Sequence, residues 1–528
     1  MTDAADGSSW ASLRDVIAHW ADRTPDAPAL ALDGRILSYA ETLRRCDELA
    51  RAFIARGVGK GDRIAALLTP HPDYLVSMVA AASIGAIWIG LNPRYRRDEL
   101  LHVVRDSEPV LLFARTRIGN REYGEDILAL REACPALRHV LVNDGDPSLP
   151  DTEAMPDFIA RGAEIAEEAL ASRFAEAGGR DPCLIVYTSG STGAPKGALL
   201  HHKGIVDFSR EQARLWPVSP MRAVNYFPIN HIGCVIDLSM PCLAAGGTIF
   251  FLEQYENAAC LGLMEREGIT AWMSVPTVFQ LQLADPDFAR YDLSAVQLIV
   301  WEGAAMPLET AERLRALCPR LATNYGMTET GSAITVLEPT DDLDVAVGSV
   351  GDAFAGVEIR LVDDRGRDVA DGEVGEVWVR SPYAMLGYWR RPEATEEAFS
   401  PDGYFRTGDL ALRRPDGRYR IAGRRKEMFK SGGYNVYPRE IESVLEGHPA
   451  VALVAVVGVP DPIWQEAGIA FVTLDGESDA DQLKAWCRER LANYKVPKRI
   501  VIERELPLLP VGKVDKAALK RRMEEKAV

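Results

Sequence analysis

Apolar residues in this chain fall into short runs separated by stretches of a different periodicity, and that contrast predicts most of its elements. Over residues 11–115, runs rich in Ile, Val, Leu and Ala alternate with longer stretches in which apolar positions recur every three or four residues. The runs predict buried strands and the stretches amphipathic helices. Ser38-Tyr39-Ala40-Glu41 has capping-box spacing and opens a helix to about residue 56. Strand 63–68, helix 72–84, strand 86–90, helix 97–105 and strand 110–113 follow. Helices between short apolar strands imply a parallel sheet with crossovers. Residues 116–180 are more polar and alanine-rich, and no element is assigned there.

The alternation resumes with strand 183–186, helix 203–215, strand 223–228, helix 235–244, strand 248–251, helix 260–267, strand 271–274, helix 276–284 and strand 296–300, and it continues to residue 322. Over 348–423 the pattern changes. Asp363-Asp364-Arg365-Gly366, Ala370-Asp371-Gly372, Pro401-Asp402-Gly403 and Pro415-Asp416-Gly417 punctuate Val- and Ile-rich runs, as in small antiparallel sheet. A third unit begins near residue 427, with helix 438–446, strands 451–458 and 468–474, helix 481–491, strand 499–503 and helix 515–525. No internal repeat or low-complexity tract interrupts the series.

Bulk composition narrows the class. At 528 residues, two or more domains are expected. Apolar content of 47% and charged content of 26% describe an ordinary globular protein. The net charge of −17 argues against general nucleic-acid binding or an anionic membrane surface. The eight cysteines are scattered without a Cys-x-x-Cys pair and read as reduced core residues of a cytoplasmic protein. Residues 1–9 are polar and acidic, unlike a signal peptide. The longest apolar run, 75–91, is broken by Ser77, Ser83 and Gly85 and is short for a bilayer span, so no integral membrane association is expected.

The densest chemical signal is Tyr187-Thr188-Ser189-Gly190-Ser191-Thr192-Gly193-Ala194-Pro195-Lys196-Gly197, directly after strand 183–186. Three glycines, five hydroxyl-bearing residues and one lysine in eleven positions suit a phosphate cradle. Glycine lets main-chain N–H groups approach an anion, hydroxyls donate to its oxygens and lysine adds a point charge. It is not the common P-loop, in which lysine directly follows glycine; here Lys196 lies three residues beyond Gly193. A plain Ser/Gly linker is the bland alternative.

Thr-Ser-Gly-Ser-Thr-Gly-x-Pro-Lys-Gly resembles the phosphate loop of the adenylate-forming superfamily, which holds acyl-CoA synthetases, firefly luciferase and peptide-synthetase adenylation domains. Three further motifs repeat the resemblance in order: Asn324-Tyr325-Gly326-Met327-Thr328-Glu329-Thr330, Tyr404-Phe405-Arg406-Thr407-Gly408-Asp409 and Gly423-Arg424-Arg425-Lys426. The resemblance implies an α/β fold with a large N-terminal domain, 1–423, of doubly wound αβ subdomains plus a small β-barrel (about 348–423). A hinge at 424–426 and a mobile α+β C-terminal domain, 427–528, complete it. ATP, magnesium and coenzyme A are the implied cofactors and co-substrates.

Residue by residue, the resemblance assigns ATP and AMP binding to Thr188, Ser189, Gly190, Ser191, Thr192, Gly193, Lys196, Gly303, Ala304, Ala305, Asn324, Tyr325, Gly326, Met327, Thr328, Asp409, Arg424 and Lys513. Asp409 is implied to accept from both ribose hydroxyls, which the two oxygens of a carboxylate can do. Glu329 and Thr188 are implied at the magnesium, which takes hard oxygen ligands and shares substrate phosphates. Lys513, after Gly512, resembles the C-terminal catalytic lysine, although Leu509-Pro510-Val511 replaces the threonine-rich approach of many relatives. Catalytic roles are implied for Lys513, His231, Lys196 and Thr188. Lys426 falls on the hinge. Lys430, Ser431, Gly432, Gly433, Trp464, Tyr494, Lys495 and Lys498 are implied at coenzyme A, the basic stretch also reading as a solvated face.

The acyl pocket is expected from Phe227, His231, Ile232, Val235, Trp301, Met327, Ser332 and Ala333, a largely apolar set. Adenylation domains for amino acids usually carry aspartate at the position of Ile232, to pair with the substrate amine. Ile232 therefore favours an acid without an α-amino group, and nearby Asp237 keeps that question open. The nearest basic residue, Arg222, starts a strand and is expected at the surface, which disfavours dicarboxylates. Trp301 is expected to cap the pocket, ordinary core packing being the equal alternative. The chain is thus expected to be an ATP-dependent, AMP-forming acid–CoA ligase for a medium-chain aliphatic or aromatic monocarboxylic acid. Loading of a carrier protein, a luciferase-like oxidase and a non-catalytic binding protein are the rivals, and a homodimer stays open.

Overall fold

The structure is a computed structural model and describes residues 10–143, 149–188, 195–431, 434–508 and 514–525. Two large sheets share one core. The first has nine strands, in the order 352–353, 332–340, 321–327, 298–301, 271–274, 222–225, 248–251, 28–32 and 35–38. Its six central strands run parallel, and antiparallel strands close both edges. The second has eight, in the order 387–388, 196–201, 182–188, 87–90, 63–67, 111–114, 139–142 and 153–154. It is parallel from 182–188 outward and antiparallel at the 387–388 edge.

The helix Pro72–Ser83 is buried on nearly every side chain and packs in a core fed by both sheets. A helix apolar all round belongs inside a protein, and this accounts for the run at 75–91 without a membrane. Among the described residues no helix is long and apolar enough to cross one. The helix Tyr39–Ala55 is capped as its sequence predicts at Ser38, whose side chain accepts from Glu41 N. All eight cysteines are free and buried.

Strand alternation divides the core of the nine-stranded sheet. Leu298, Val300 and Ala322 face the shared core, whereas Ile299, Trp301 and Leu321 face a second cluster with Trp272 and Phe250.

The β-rich segment is a four-stranded antiparallel sheet, Glu358–Val362, Gly375–Arg380, Phe405–Arg413 and Tyr419–Arg424. The C-terminal unit places strands 434–436, 429–431, 465–474 and 451–461 side by side, with Arg499–Ile502 parallel to 465–474. The helices Pro438–Glu446, Ala480–Arg490 and Lys516–Glu525 match their sequence expectations to within a residue.

Two stretches depart from expectation. Residues 116–180, left unassigned, contain helices Gly124–Ala133, Met155–Arg161 and Glu167–Ala175 and the parallel strand His139–Val142. The expected helix 235–244 is a π-helix over Gly233–Ser239 followed by one α-turn, Met240–Ala244.

Candidate active site

The chain leaves one strand at Thr188 and begins the next at Lys196, directly opposite it. Ser189, Gly190, Ser191, Thr192 and Gly193 of the expected phosphate loop lie outside the described residues, as do Gly432, Gly433 and Lys513. The edges of the loop are held from the side: His102 Nε2 donates to Pro195 O at 3.0 Å, and Tyr187 OH donates to Asp106 Oδ2 at 2.8 Å.

Glu329 lies in a one-turn 3₁₀ helix, Thr328–Thr330, between the antiparallel strands Leu321–Met327 and Ser332–Thr340. That pairing needs glycine at 326, because a Cβ there would stand 2.1 Å from Ser332 O. Glu329 Oε1 accepts from Tyr388 OH at 3.0 Å and lies 3.3 Å from Thr188 Oγ1. Lys196 Nζ sits 5.2 Å from the centre of the Tyr388 ring. Burial, with the Glu329 charge added, pushes the Tyr388 phenol far up, so it remains a neutral donor.

One carboxylate and two hydroxyls are hard oxygen donors, and they fit a magnesium ion that keeps waters and shares phosphate oxygens. Among the described residues no three His, Cys, Asp or Glu groups gather as an all-protein cage would require. The sequence reading missed Tyr388; its only signal was the aromatic pair Tyr388-Trp389 after Gly387.

Asp409 is 4% exposed and opposes Arg424 in neighbouring strands. Its Oδ1 lies 3.0 Å from Arg424 Nε, its Oδ2 accepts from Tyr325 OH at 2.8 Å, and its own N–H donates to Thr407 Oγ1. The Asp409 charge is the largest influence raising the Arg424 guanidinium. Two motifs distant in sequence are thereby joined around one carboxylate, held by a cation on one oxygen and a phenol on the other. Gly303, Ala304 and Ala305 form an exposed turn after the strand Leu298–Trp301, while Asn324 Nδ2 donates to Glu302 Oε1 at 3.0 Å.

The acyl-side residues gather around the π-helix. Buried Asn225 donates to Cys234 O at 3.1 Å and Ser239 Oγ at 2.9 Å, and accepts from Phe227 N at 3.1 Å. Tyr74 OH lies 2.6 Å from Ser239 Oγ, which donates to Cys234 O. These bonds stabilise a wide turn of a kind common at functional sites. Ile232, Val235 and Ala333 belong to the shared core, with Phe227 and Met327 packed against it. His231 is exposed and its Nδ1 accepts from Gly233 N at 3.1 Å.

Two expectations are corrected here. Trp301 lies in the second core cluster, on the opposite sheet face from Ile232, Val235 and Ala333, because strand side chains alternate. That removes it as the cap of the pocket. Arg222 is half-buried against Phe250 and donates to Glu267 O at 2.7 Å.

Ser332, expected at the acyl pocket, has a left-handed backbone, φ 121°, and its hydroxyl donates to buried Asp237. Burial pushes the Asp237 carboxyl up to about 6, the Ser332 bond acting against it. Burial pushes Glu302 well up, and the Asp237 charge adds to this. The sequence reading left Asp237 open as an amine partner and did not single out Glu302.

On the C-terminal unit, Lys498 Nζ lies 4.3 Å above Trp464, Tyr494 stacks on Tyr434 at 4.5 Å and Lys495 pairs with Glu440 at 2.6 Å. Lys430 N donates to Glu466, Ser431 is buried and Lys426 is exposed. No hydrogen bond or ion pair joins Trp464, Tyr494, Lys495 or Lys498 to Thr188, Glu329 or Asp409 among the described residues.

Parallel sheets carrying this phosphate-edge, diol and carboxylate arrangement define a nucleotide-activating ligase of the adenylate-forming class. The chain belongs to the AMP-binding enzyme family: that family's model matches residues 17–389, and the model of the AMP-binding enzyme C-terminal domain matches 440–513. It is 36% identical over 502 residues to a feruloyl-CoA synthase of Amycolatopsis, covering 94% of this chain and 96% of the relative. An anthranilate CoA ligase in complex with anthranoyl-AMP superposes with a TM-score of 0.87 at 26% identity, covering all of both chains. ATP-bound MatB from Rhodopseudomonas palustris gives 0.82 at 30% identity, covering 97% of this chain and 99% of the other. The chain is accordingly an ATP-binding, AMP-forming acid–CoA ligase.

Proposed function

We propose that the ligase works as two half-reactions on one site, with the residue roles that follow. The acid's carboxylate attacks the α-phosphate of ATP, giving acyl-adenylate and pyrophosphate. The thiolate of coenzyme A then attacks the acyl carbon, and AMP leaves. Asp409 accepts the ribose hydroxyls, with Tyr325 and Arg424 fixing the orientation of its carboxylate. Glu329 and Thr188 would hold magnesium, which supplies positive charge to the phosphates, and Tyr388 orients Glu329 for that task. Lys196, Lys513 and the loop 189–193 face charge developing at the phosphorus. Divisions at 1–423, 424–426 and 427–528 go with this reading, Lys426 being the hinge about which the small domain turns between half-reactions. Trp464, Tyr494, Lys495 and Lys498, with Lys430, Ser431, Gly432 and Gly433, are the proposed coenzyme A face.

The observation that supports the nucleotide roles best is the convergence of Thr188, Glu329 and Tyr388 beside Lys196. For the acid we propose a medium-chain aliphatic or aromatic monocarboxylic acid. The apolar lining by Ile232, Val235, Ala333 and Met327 supports it, as do relatives named for feruloyl, indoleacetate and fatty acids. The enzyme is taken to act in the cytoplasm, as a monomer or homodimer.

Pyrophosphate release and thioester formation, measured with coenzyme A, with an acyl carrier protein and with neither, over a panel of acids, tests this reading. Stoichiometric AMP and acyl-CoA from a monocarboxylic acid is expected. Thioester on the carrier protein alone, or best turnover on a dicarboxylate, would contradict it.

A further inference from the structure

Two carboxyl groups lie beside the residues expected at the acyl pocket, with no cation against them among the described residues. Asp237 is 7% exposed and Glu302 half-buried. Neither has an ion-pair partner among the described residues. The partners of both are known: Ser332 Oγ donates to Asp237 Oδ1, and Asn324 Nδ2 donates to Glu302 Oε1. The second oxygen of Asp237 has no hydrogen bond among the described residues. Gln212, 2% exposed, donates through Nε2 to the main-chain oxygen of Asp237 at 3.0 Å, and its Oε1 is buried with no donor among the described residues.

The π-helix brings this group to the pocket. In an α-helix, position 237 would be turned about 140° from position 232. The i→i+5 closure of a π-turn swings it back toward the side that carries Ile232. Asp237 therefore lies one turn beyond Ile232, against Ser332, two residues expected to line the acyl pocket. Glu302 reaches the same place from the carboxyl end of a parallel strand, the usual position for ligand-binding groups in such sheets.

Buried carboxyls without cations leave two stable arrangements: share protons, or accept from a ligand. We propose that Asp237, supported by Glu302, selects acids whose tail carries a hydrogen-bond donor, a hydroxyl or an amine, remote from the reacting carboxylate. The inference rests on the acid-activating reading above and refines its substrate. A donor on the tail completes the free oxygen of Asp237. An unsubstituted tail offers it nothing, and a second carboxylate meets like charge. A pocket that must satisfy its own buried polar groups discriminates strongly against a ligand lacking the partner.

The test is kcat/KM for pyrophosphate release across matched acids: cinnamate with 4-hydroxycinnamate, benzoate with hydroxy- and aminobenzoates, hexanoate with 6-hydroxy- and 6-aminohexanoate. The donor-bearing member of at least one set is expected to win by roughly tenfold to a hundredfold, the range of a hydrogen bond to a charged group. The hydroxyl and amine arms show which donor is preferred. In Asp237→Val that ratio should fall to one or invert, a change that a general folding defect cannot produce; Asp237→Asn, which keeps one acceptor, should retain part of it. Unsubstituted acids turned over as well as their donor-bearing partners by the wild-type enzyme would overturn the inference and leave the ligase reading standing. No activation of any acid would overturn the ligase reading, and the inference with it.

Discussion

Asp409 concentrates the strongest residue-scale interactions of the nucleotide side. It is buried, and it holds Tyr325 and Arg424 on separate oxygens. Hydrogen bonds to charged groups contribute about 1.5–3 kcal/mol. Asp409→Ala should therefore raise KM for ATP roughly tenfold to a hundredfold, with KM for the acid little changed; equal rises in both would show that the site collapsed rather than lost a ribose contact. Asp237 gives a pH prediction. Its native carboxyl lies at about 6, above the unfolded value, so the native state binds more protons than the unfolded chain between about pH 4 and 6. Its contribution to stability is present below about pH 4 and is lost as pH rises through 6. The melting temperature of Asp237→Asn relative to wild type should thus climb over that window, and a constant difference would contradict the assignment. These two residues also show what was legible. Asp409 stood in a complete hexapeptide. Asp237 and Glu302 carry no motif, and their proximity is made by a π-turn and a strand end far apart in sequence.

Most elements placed from sequence have a strong apolar period, although the amphipathic helix Leu13–Arg23 was not among them. The helix Pro438–Glu446 buries Ile441, Glu442 and Leu445 on one face and was placed to the residue. Met155–Arg161 buries only Phe158 and Glu167–Ala175 only Leu170, so neither shows a periodic stripe. Periodicity also cannot distinguish a π-turn from an α-helix when every residue of the segment is buried, as over Gly233–Ser239. Asn225 holds that turn through bonds to Cys234 O and Ser239 Oγ, and accepts from Phe227 N beside it. Asn225→Leu would strand these buried groups, at about 1–3 kcal/mol each. Lower thermal stability and a raised KM for the acid, without a matching rise for ATP, are expected. Unchanged acid kinetics would show that the π-turn does not shape the pocket.

On the scale of the whole molecule, the sequence carried its motifs in family order but showed nothing of the contacts between distant segments. Lys516, at the start of the last helix, lies 2.5 Å from Glu427 and 2.8 Å from Glu442 and so ties that helix to the residue after Lys426. Lys516→Met leaves buried Glu442 with the Val456 N–H at 2.8 Å and, as its cation among the described residues, Arg439 at 3.7 Å. A loss of roughly 1–3 kcal/mol from the C-terminal unit should follow, read as earlier melting of that unit, and unchanged melting would show the pair to be unimportant. The central claim is the proposal that acid activation takes place at one nucleotide site lined by Thr188, Glu329 and Tyr388, where Glu329 and Thr188 would hold magnesium. Acid-dependent exchange of pyrophosphate into ATP by Glu329→Gln, followed across magnesium concentrations, tests it most directly. The exchange rate should fall on the order of 10²–10³-fold, as for loss of a group that stabilises developing charge, and recover in part as magnesium is raised. Wild-type exchange with an unaltered magnesium dependence would contradict the account.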